Sequence, residues 1–219
     1  MEGKKEVLYV GIEMGRENAQ EWARIFRLLI ERGLRKPLMF ITDDLPGLDK
    51  VLEELFPEAD HQLCLNHLMR NLRINLPKEH AEKVIRFIKA ARFRPDDKEK
   101  IIKDFQDLLS SLDLSHPADI SYVQRLINKA HNFFAFLDYP HEIHKHIYTT
   151  NPIEAIFKNV KIQERANRGF FSSKTQAFRS FAIVLDNLSL NAWKRPLPAF
   201  KHVSYYLRQT AALKYPTHF

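Results

Sequence analysis

The sequence predicts an α/β fold: a small sheet flanked by helices, joined to a long all-helical stretch. Three observations point there. Over the first third, short apolar runs alternate with helical stripes. From Leu68 to about His146 only helical periodicity remains. Asn151-Pro152 then opens another helix, with Glu154 in its first turn and Lys158, Lys161, Arg165 and Arg168 behind it.

The elements follow in order. Glu6 to Ile12 is a nearly continuous apolar run, which predicts a strand covered on both faces. Asn18 to Arg32 predicts a helix, with Trp22, Ile25, Phe26 and Leu29 on one face and Gly33 as its stop. Pro37 to Thr42 predicts a second buried strand, with Asp43-Asp44 at its carboxyl end. Ligand sites in helix-flanked sheets collect at such ends, so Asp43 is well placed for chemistry. Either acid is equally suited to cap the next helix or its turn. Leu48, Val51, Leu52 and Leu55 mark that helix, closed by Pro57, and His61 to His67 predicts a short strand entering a helix.

Four apolar stripes come next, built on Leu68/Leu72/Leu76, Val84/Ile85/Ile88/Ala91, Ile101 to Leu112, and Ile120 to Leu137. Arg70, Arg73, Arg86, Lys89, Arg92 and Arg94 give this stretch a basic side, read as a solvated helix face. In the helix at Asn151, the apolar stripe is Ile153, Ile156, Phe157 and Val160. Asn151-x-x-Glu154 also has capping-box spacing, so Glu154 has a structural reading beside a catalytic one. Arg165 to Phe171 predicts a basic loop. Thr175 to Leu190 predicts a helix with Phe178, Phe181, Ala182, Leu185 and Leu188 inward. The tail from Asn191 includes Trp193-Lys194-Arg195-Pro196, suited to touch DNA or to pack across the domain.

Composition narrows the function. The chain has 219 residues, 45% of them hydrophobic, which is enough for a core. Lys and Arg number 34 against 27 Asp and Glu, a net charge of +7 that favours an anionic partner, usually nucleic acid. The single cysteine, Cys64, excludes an internal disulfide and suits a reducing cytoplasm. No apolar run approaches the roughly 20 residues of a membrane span, and the charged start lacks a signal-peptide core. Cys64 and His67 have Cys-x-x-His spacing, but two ligands do not close a zinc site. They are expected as a small buried hydrophobe and a hydrogen-bonded or phosphate-facing side chain.

Three segments in order resemble mutator-type insertion-sequence transposases. Phe40-Ile41-Thr42-Asp43-Asp44-Leu45-Pro46-Gly47-Leu48 resembles that family's second-aspartate motif. Phe56 to Asn71, through His61-Gln62-Leu63-Cys64-Leu65-Asn66-His67, resembles its Cys-x-x-His segment. Tyr148-Thr149-Thr150-Asn151-Pro152-Ile153-Glu154 resembles its glutamate motif, and Arg168-Gly169-Phe170-Phe171 and Trp193-Lys194-Arg195-Pro196 also look like family positions.

The resemblance implies a truncated RNase H-like core, an incomplete mixed sheet flanked by helices, with a large all-α insertion. Residues 1–76 would be the partial core with the second catalytic Asp, and 77–147 the helical insertion. Residues 148–190 would be core helices with the catalytic Glu, and 191–219 a basic, aromatic tail. It implies Asp43 and Glu154 as catalytic metal ligands for Mg2+ or Mn2+. Such carboxylates hold two ions about 4 Å apart for in-line phosphoryl transfer. It also implies DNA contacts from Lys158, Lys161, Arg165, Arg168, Lys194 and Arg195, and a homo-oligomer on insertion-sequence ends and target DNA. Family members have their first aspartate on a strand well upstream of this chain's start, and Glu2 does not replace it. A fragment inactive alone, complemented by an upstream transposase polypeptide, is therefore expected. Two other readings compete: a non-catalytic DNA-binding or regulatory relic, and an unrelated nuclease. The nuclease would need Asp44, Glu13 or Asp60 as a third carboxylate.

Overall fold

A computed structural model describes residues 3–12, 17–94, 97–166 and 169–216. The fold is α/β and mostly helical, and its sheet among the described residues is two parallel strands. The chain divides into two compact units. One comprises Leu38–Leu45 and Ala59–Thr149, the other Met1–Pro37, Pro46–Glu58 and Thr150–Phe219.

The first unit contains β1 (Met39–Thr42) and β2 (Asp60–Leu63), paired so that Met39 faces Asp60 and Thr42 faces Leu63. Six helices follow: α3 (Leu65–Asn75), α4 (Lys78–Ala91), α5 (Lys98–Ser110), α6 (Pro117–Asn128), α7 (Ala130–Phe133) and α8 (His141–Ile147). Their stripes make the core. Leu72, Val84, Ile85, Ile88, Ile101, Phe105 and Phe134 are fully buried. Phe134 meets Phe105 edge-on, with ring centroids 5.2 Å apart, a preferred aromatic geometry. Ile120, expected on the fourth stripe, is instead exposed, and Tyr122 takes the inward position.

Buried Gln62 on β2 ties the sheet to the helices. Its Nε2 donates to the Phe133 carbonyl (2.9 Å), and its Oε1 accepts from the Phe136 N–H (2.8 Å). The expected basic side is partly consumed by pairing, Arg73 with Glu82 and Arg94 with Asp104.

The second unit begins with residues 3–12, where no strand forms. The run at 6–12 pairs with neither β1 nor β2, and Val7 and Leu8 are exposed. An apolar run becomes a strand only where an edge accepts its ladder. α1 (Ala19–Glu31) matches expectation. Asn18 Oδ1 caps the Glu21 N–H at 2.9 Å. Gly33, at φ 108, closes a Schellman-type end through Gly33 N–H to Ile30 O and Leu34 N–H to Leu29 O. α2 (Leu48–Leu55) packs on α1, with Phe26 edge-on to Phe56.

α9 (Asn151–Ala166) and α10 (Lys174–Leu190) pack together, Phe157 edge-on to Phe181. Their faces differ from expectation. Among the described residues of α9 only Val160 is buried, while Ile153 and Phe157 are half exposed. On α10 the buried residues are Ala177, Ser180 and Val184, with Phe178 and Ala182 exposed. The buried positions are three and four residues apart, one helical stripe, displaced by a residue from the expected one. The tail adds α11 (Pro198–His202) and α12 (Ser204–Lys214).

Candidate functional site

Equal strand lengths and parallel pairing bring the two carboxyl ends together. The Cys64 N–H donates to the Thr42 carbonyl at 2.8 Å, so Asp43 and Cys64, one residue beyond each strand, become neighbours. Cys64 is also the residue before α3, which places His67 in that helix's first turn. The result is a cluster: His67 Nδ1 lies 2.9 Å from Asp43 Oδ1 and 3.2 Å from Cys64 Sγ. The three ligand-type atoms lie within 4.8 Å of one another. Cys64 is buried, as expected, and the Asp43 side chain is 56% exposed.

The second acid has a different fate. Asp44 Oδ1 pairs with Lys129 Nζ at 2.6 Å, both side chains about three-quarters covered. The N-cap of α2 is Gly47 at φ 81, so neither acid stands at the cap position. Asp60, a candidate third carboxylate, starts β2 at the opposite end of the sheet and contacts the Tyr139 hydroxyl at 2.7 Å. Glu13 lies outside the described residues.

A small cavity adjoins the cluster, lined by Asp44, Cys64, His67, Asn71, Tyr122 and Phe133 among others. Burial pushes the Tyr122 phenol up to about 12, Arg125 opposing and Asp44 reinforcing the shift, so it stays a neutral hydroxyl. Sequence reasoning missed Tyr122 and Lys129 as neighbours of the site. Nothing local signals either, because helix docking alone brings them in. The approach of Asp43 to Cys64 follows from the parallel β1–β2 register, which the sequence alone does not give.

Glu154 belongs to the other unit, in the first turn of α9, and is half-buried. The Thr150 carbonyl accepts from the N–H groups of Ile153 and Glu154, so the helix starts one residue earlier than Asn151 as cap implies. The cap position therefore falls on Thr150, and the capping-box spacing from Asn151 no longer applies. Lys158, Lys161 and Arg165 are exposed along α9, and Lys194 and Arg195 are exposed beyond α10. Arg168 lies outside the described residues. No helix among the described residues is long and apolar enough to cross a membrane.

An aspartate at a strand end, a Cys-x-x-His turn beside it and a glutamate at a helix start are the elements the transposase resemblance rests on. Residues 1–195 match the family described as Transposase, Mutator family, and the chain belongs to that family. It is 30% identical over 171 residues to the transposase for insertion sequence element IS6120 of Mycolicibacterium smegmatis, covering 77% of this chain and 50% of the relative. It is 29% identical over 195 residues to the transposase for ISRM3 of Rhizobium meliloti, covering 89% of this chain and 47% of the relative. To the transposase for ISRM5 of the same organism it is 29% identical over 161 residues, 73% of this chain and 39% of that protein. The chain thus spans about half the length of the curated relatives it matches.

Proposed function

We propose that this chain is the part of an insertion-sequence transposase that supplies the second and third carboxylates of an RNase H-like Asp-Asp-Glu site. Asp43 and Glu154 take those roles. The observation behind this reading is the contrast between adjacent acids: Asp44 is paired with Lys129 and about three-quarters covered, while Asp43, in contact with His67, stays 56% exposed at the carboxyl end of β1. An exposed carboxylate there offers the hard oxygen donors that magnesium prefers. Mg2+ or Mn2+, held by Asp43 and Glu154, would supply charge stabilisation at the phosphate. DNA chemistry by such a site requires the first carboxylate together with these two. The protein acts as a homo-oligomer on insertion-sequence ends and target DNA.

The remaining residues bind. Lys158, Lys161, Arg165 and Arg168 follow Glu154 on its helix or just beyond and grip the DNA backbone next to the reacting phosphate, while Lys194 and Arg195 extend that contact. The nuclease reading loses support because Asp60 lies at the far end of β2 and Asp44 is paired.

Salt-dependent DNA binding tests this assignment. Replacing Lys158, Lys161 and Arg165 by alanine should weaken binding across sequences and lower the salt slope by about 0.9 per lost phosphate contact. Asp43→Asn and Glu154→Gln should leave binding intact and abolish DNA cleavage and joining by the complemented chain. Binding with no chemistry under any complementation would overturn the catalytic reading in favour of a regulatory relic.

A further inference from the structure

The geometry around His67 separates two kinds of cluster. In a thiol–imidazole–carboxylate relay the thiol and the acid use opposite ring nitrogens. In this chain Asp43 Oδ1 and Cys64 Sγ both face Nδ1, at 2.9 and 3.2 Å. With all three atoms inside 4.8 Å, the set converges on one point instead of running along a line. Nε2 is turned outward, where Arg70 Nη1 lies 3.4 Å away on an exposed side chain.

A second observation comes from Tyr122, which is 7% exposed and lines the cavity shared with Cys64 and His67. Its hydroxyl is buried with no hydrogen-bond partner. A buried hydroxyl is costly to leave unsatisfied unless a ligand or ordered water meets it.

We propose that Asp43, Cys64 and His67 form a site for one zinc-class divalent transition metal, with the fourth position open to the cavity that Tyr122 lines. Thiolate and imidazole select zinc or cobalt over magnesium, and three protein ligands with one open position is a common zinc arrangement. Tetrahedral coordination at ordinary bond lengths needs about 3.4 Å between nitrogen and oxygen and about 3.6 Å between nitrogen and sulfur. The two distances from Nδ1 therefore need to lengthen by roughly half an ångström or less. On binding, the Cys64 thiol releases its proton to solvent, and the start of α3 favours the anion that remains. With Arg70 donating to Nε2, the ring proton is on Nδ1; metal binding there shifts that proton to Nε2, and Arg70 turns away from it.

The site makes Asp43 a shared ligand. Zinc binding there would compete with magnesium for Asp43 and inhibit DNA chemistry, and this consequence alone rests on the transposase reading.

The test is cobalt(II) titration of the full chain under reducing conditions, following thiolate-to-cobalt charge-transfer absorption, with zinc added at the end. One equivalent should saturate the band and zinc should bleach it. Asp43→Asn and His67→Gln should each weaken cobalt binding by about tenfold or more. Cys64→Ser should remove the band. Asp43 is exposed, so its variant reports on the metal without endangering the fold. Absence of the band at equimolar cobalt, or affinity unchanged in both Asp43→Asn and His67→Gln, overturns the proposal. No DNA enters this readout, so failure of the site and failure of the transposase assignment are told apart.

Discussion

The β1–β2 unit and the α9–α12 stretch of the other unit bury their apolar residues very differently. In the unit built on β1, β2 and α3–α8, side chains such as Phe105, Ile88 and Leu72 are wholly removed from water and Gln62 is fully bonded inside. In the unit holding α9–α12, Ile153, Phe157, Ile162, Phe178 and Ile183 remain about half exposed. The first unit is held by a filled core. Helices α9–α12 bury few large side chains, although the α1–α2 region of the same unit buries Phe26, Leu52 and Phe56. The Asp43 cluster sits on the first unit, just beyond a strand end. Glu154 sits on the other, among the cations proposed to meet DNA.

The largest test of this contrast pairs two phenylalanines. Phe105→Ala should destabilise its unit by about 3–5 kcal/mol in denaturant unfolding, because it empties a fully buried site against Phe134, Phe133 and Phe87. Phe157→Ala, at a half-exposed site, should cost at most about 1.5 kcal/mol. Equal losses would erase the distinction. Gln62→Ala comes next, at about 2–4 kcal/mol, since it strands the Phe136 N–H and the Phe133 carbonyl inside the core. Lys129→Met should cost less, about 1–2 kcal/mol, by leaving Asp44 without its cation in a partly covered position.

The smallest effect is a pH dependence. His144 is held below the usual histidine range, chiefly by burial, although its Nε2 contact with the Tyr139 carbonyl opposes the shift. Its Nδ1 is buried without a partner, so protonation there is disfavoured in the fold. The unfolded chain takes up the proton first. Stability from this group is therefore complete above the ordinary histidine pKa of about 6.5 and falls as pH drops below it. Urea midpoints measured from pH 7.5 to 5.5 should decline, and His144→Gln should flatten that part of the decline.

These contrasts also explain what the sequence disclosed. The stripes of α3, α4 and α5 were legible because each buries one face against a filled core. α1 was legible from both ends, through the Asn18 cap and the Gly33 stop. The apolar run at 6–12 misled because periodicity shows that a segment can be buried, and not that a strand edge awaits it. The face of α10 differs because its buried stripe, Ala177, Ser180 and Val184, includes a serine and a small residue that hydrophobicity does not single out, while Phe178 and Ile183 lie outside it. α11 and α12 were hidden by weak patterning, with Tyr205 and Leu213 exposed. At the site, Asp43 could be picked out as an acid at a strand end. Its contact with His67 needed the β1–β2 register, and Tyr122 needed the docking of α6.

The central claim is that Asp43 and Glu154 are catalytic partners in DNA chemistry. The direct measurement is cleavage and strand transfer on DNA bearing the insertion-sequence ends, with Mg2+ or Mn2+, by the chain alone and with an upstream fragment supplying the first aspartate. The account predicts no activity alone, activity on complementation, and loss of that activity in both Asp43→Asn and Glu154→Gln with DNA binding retained. Robust transposition by the chain alone, or complemented activity indifferent to both substitutions, would contradict it.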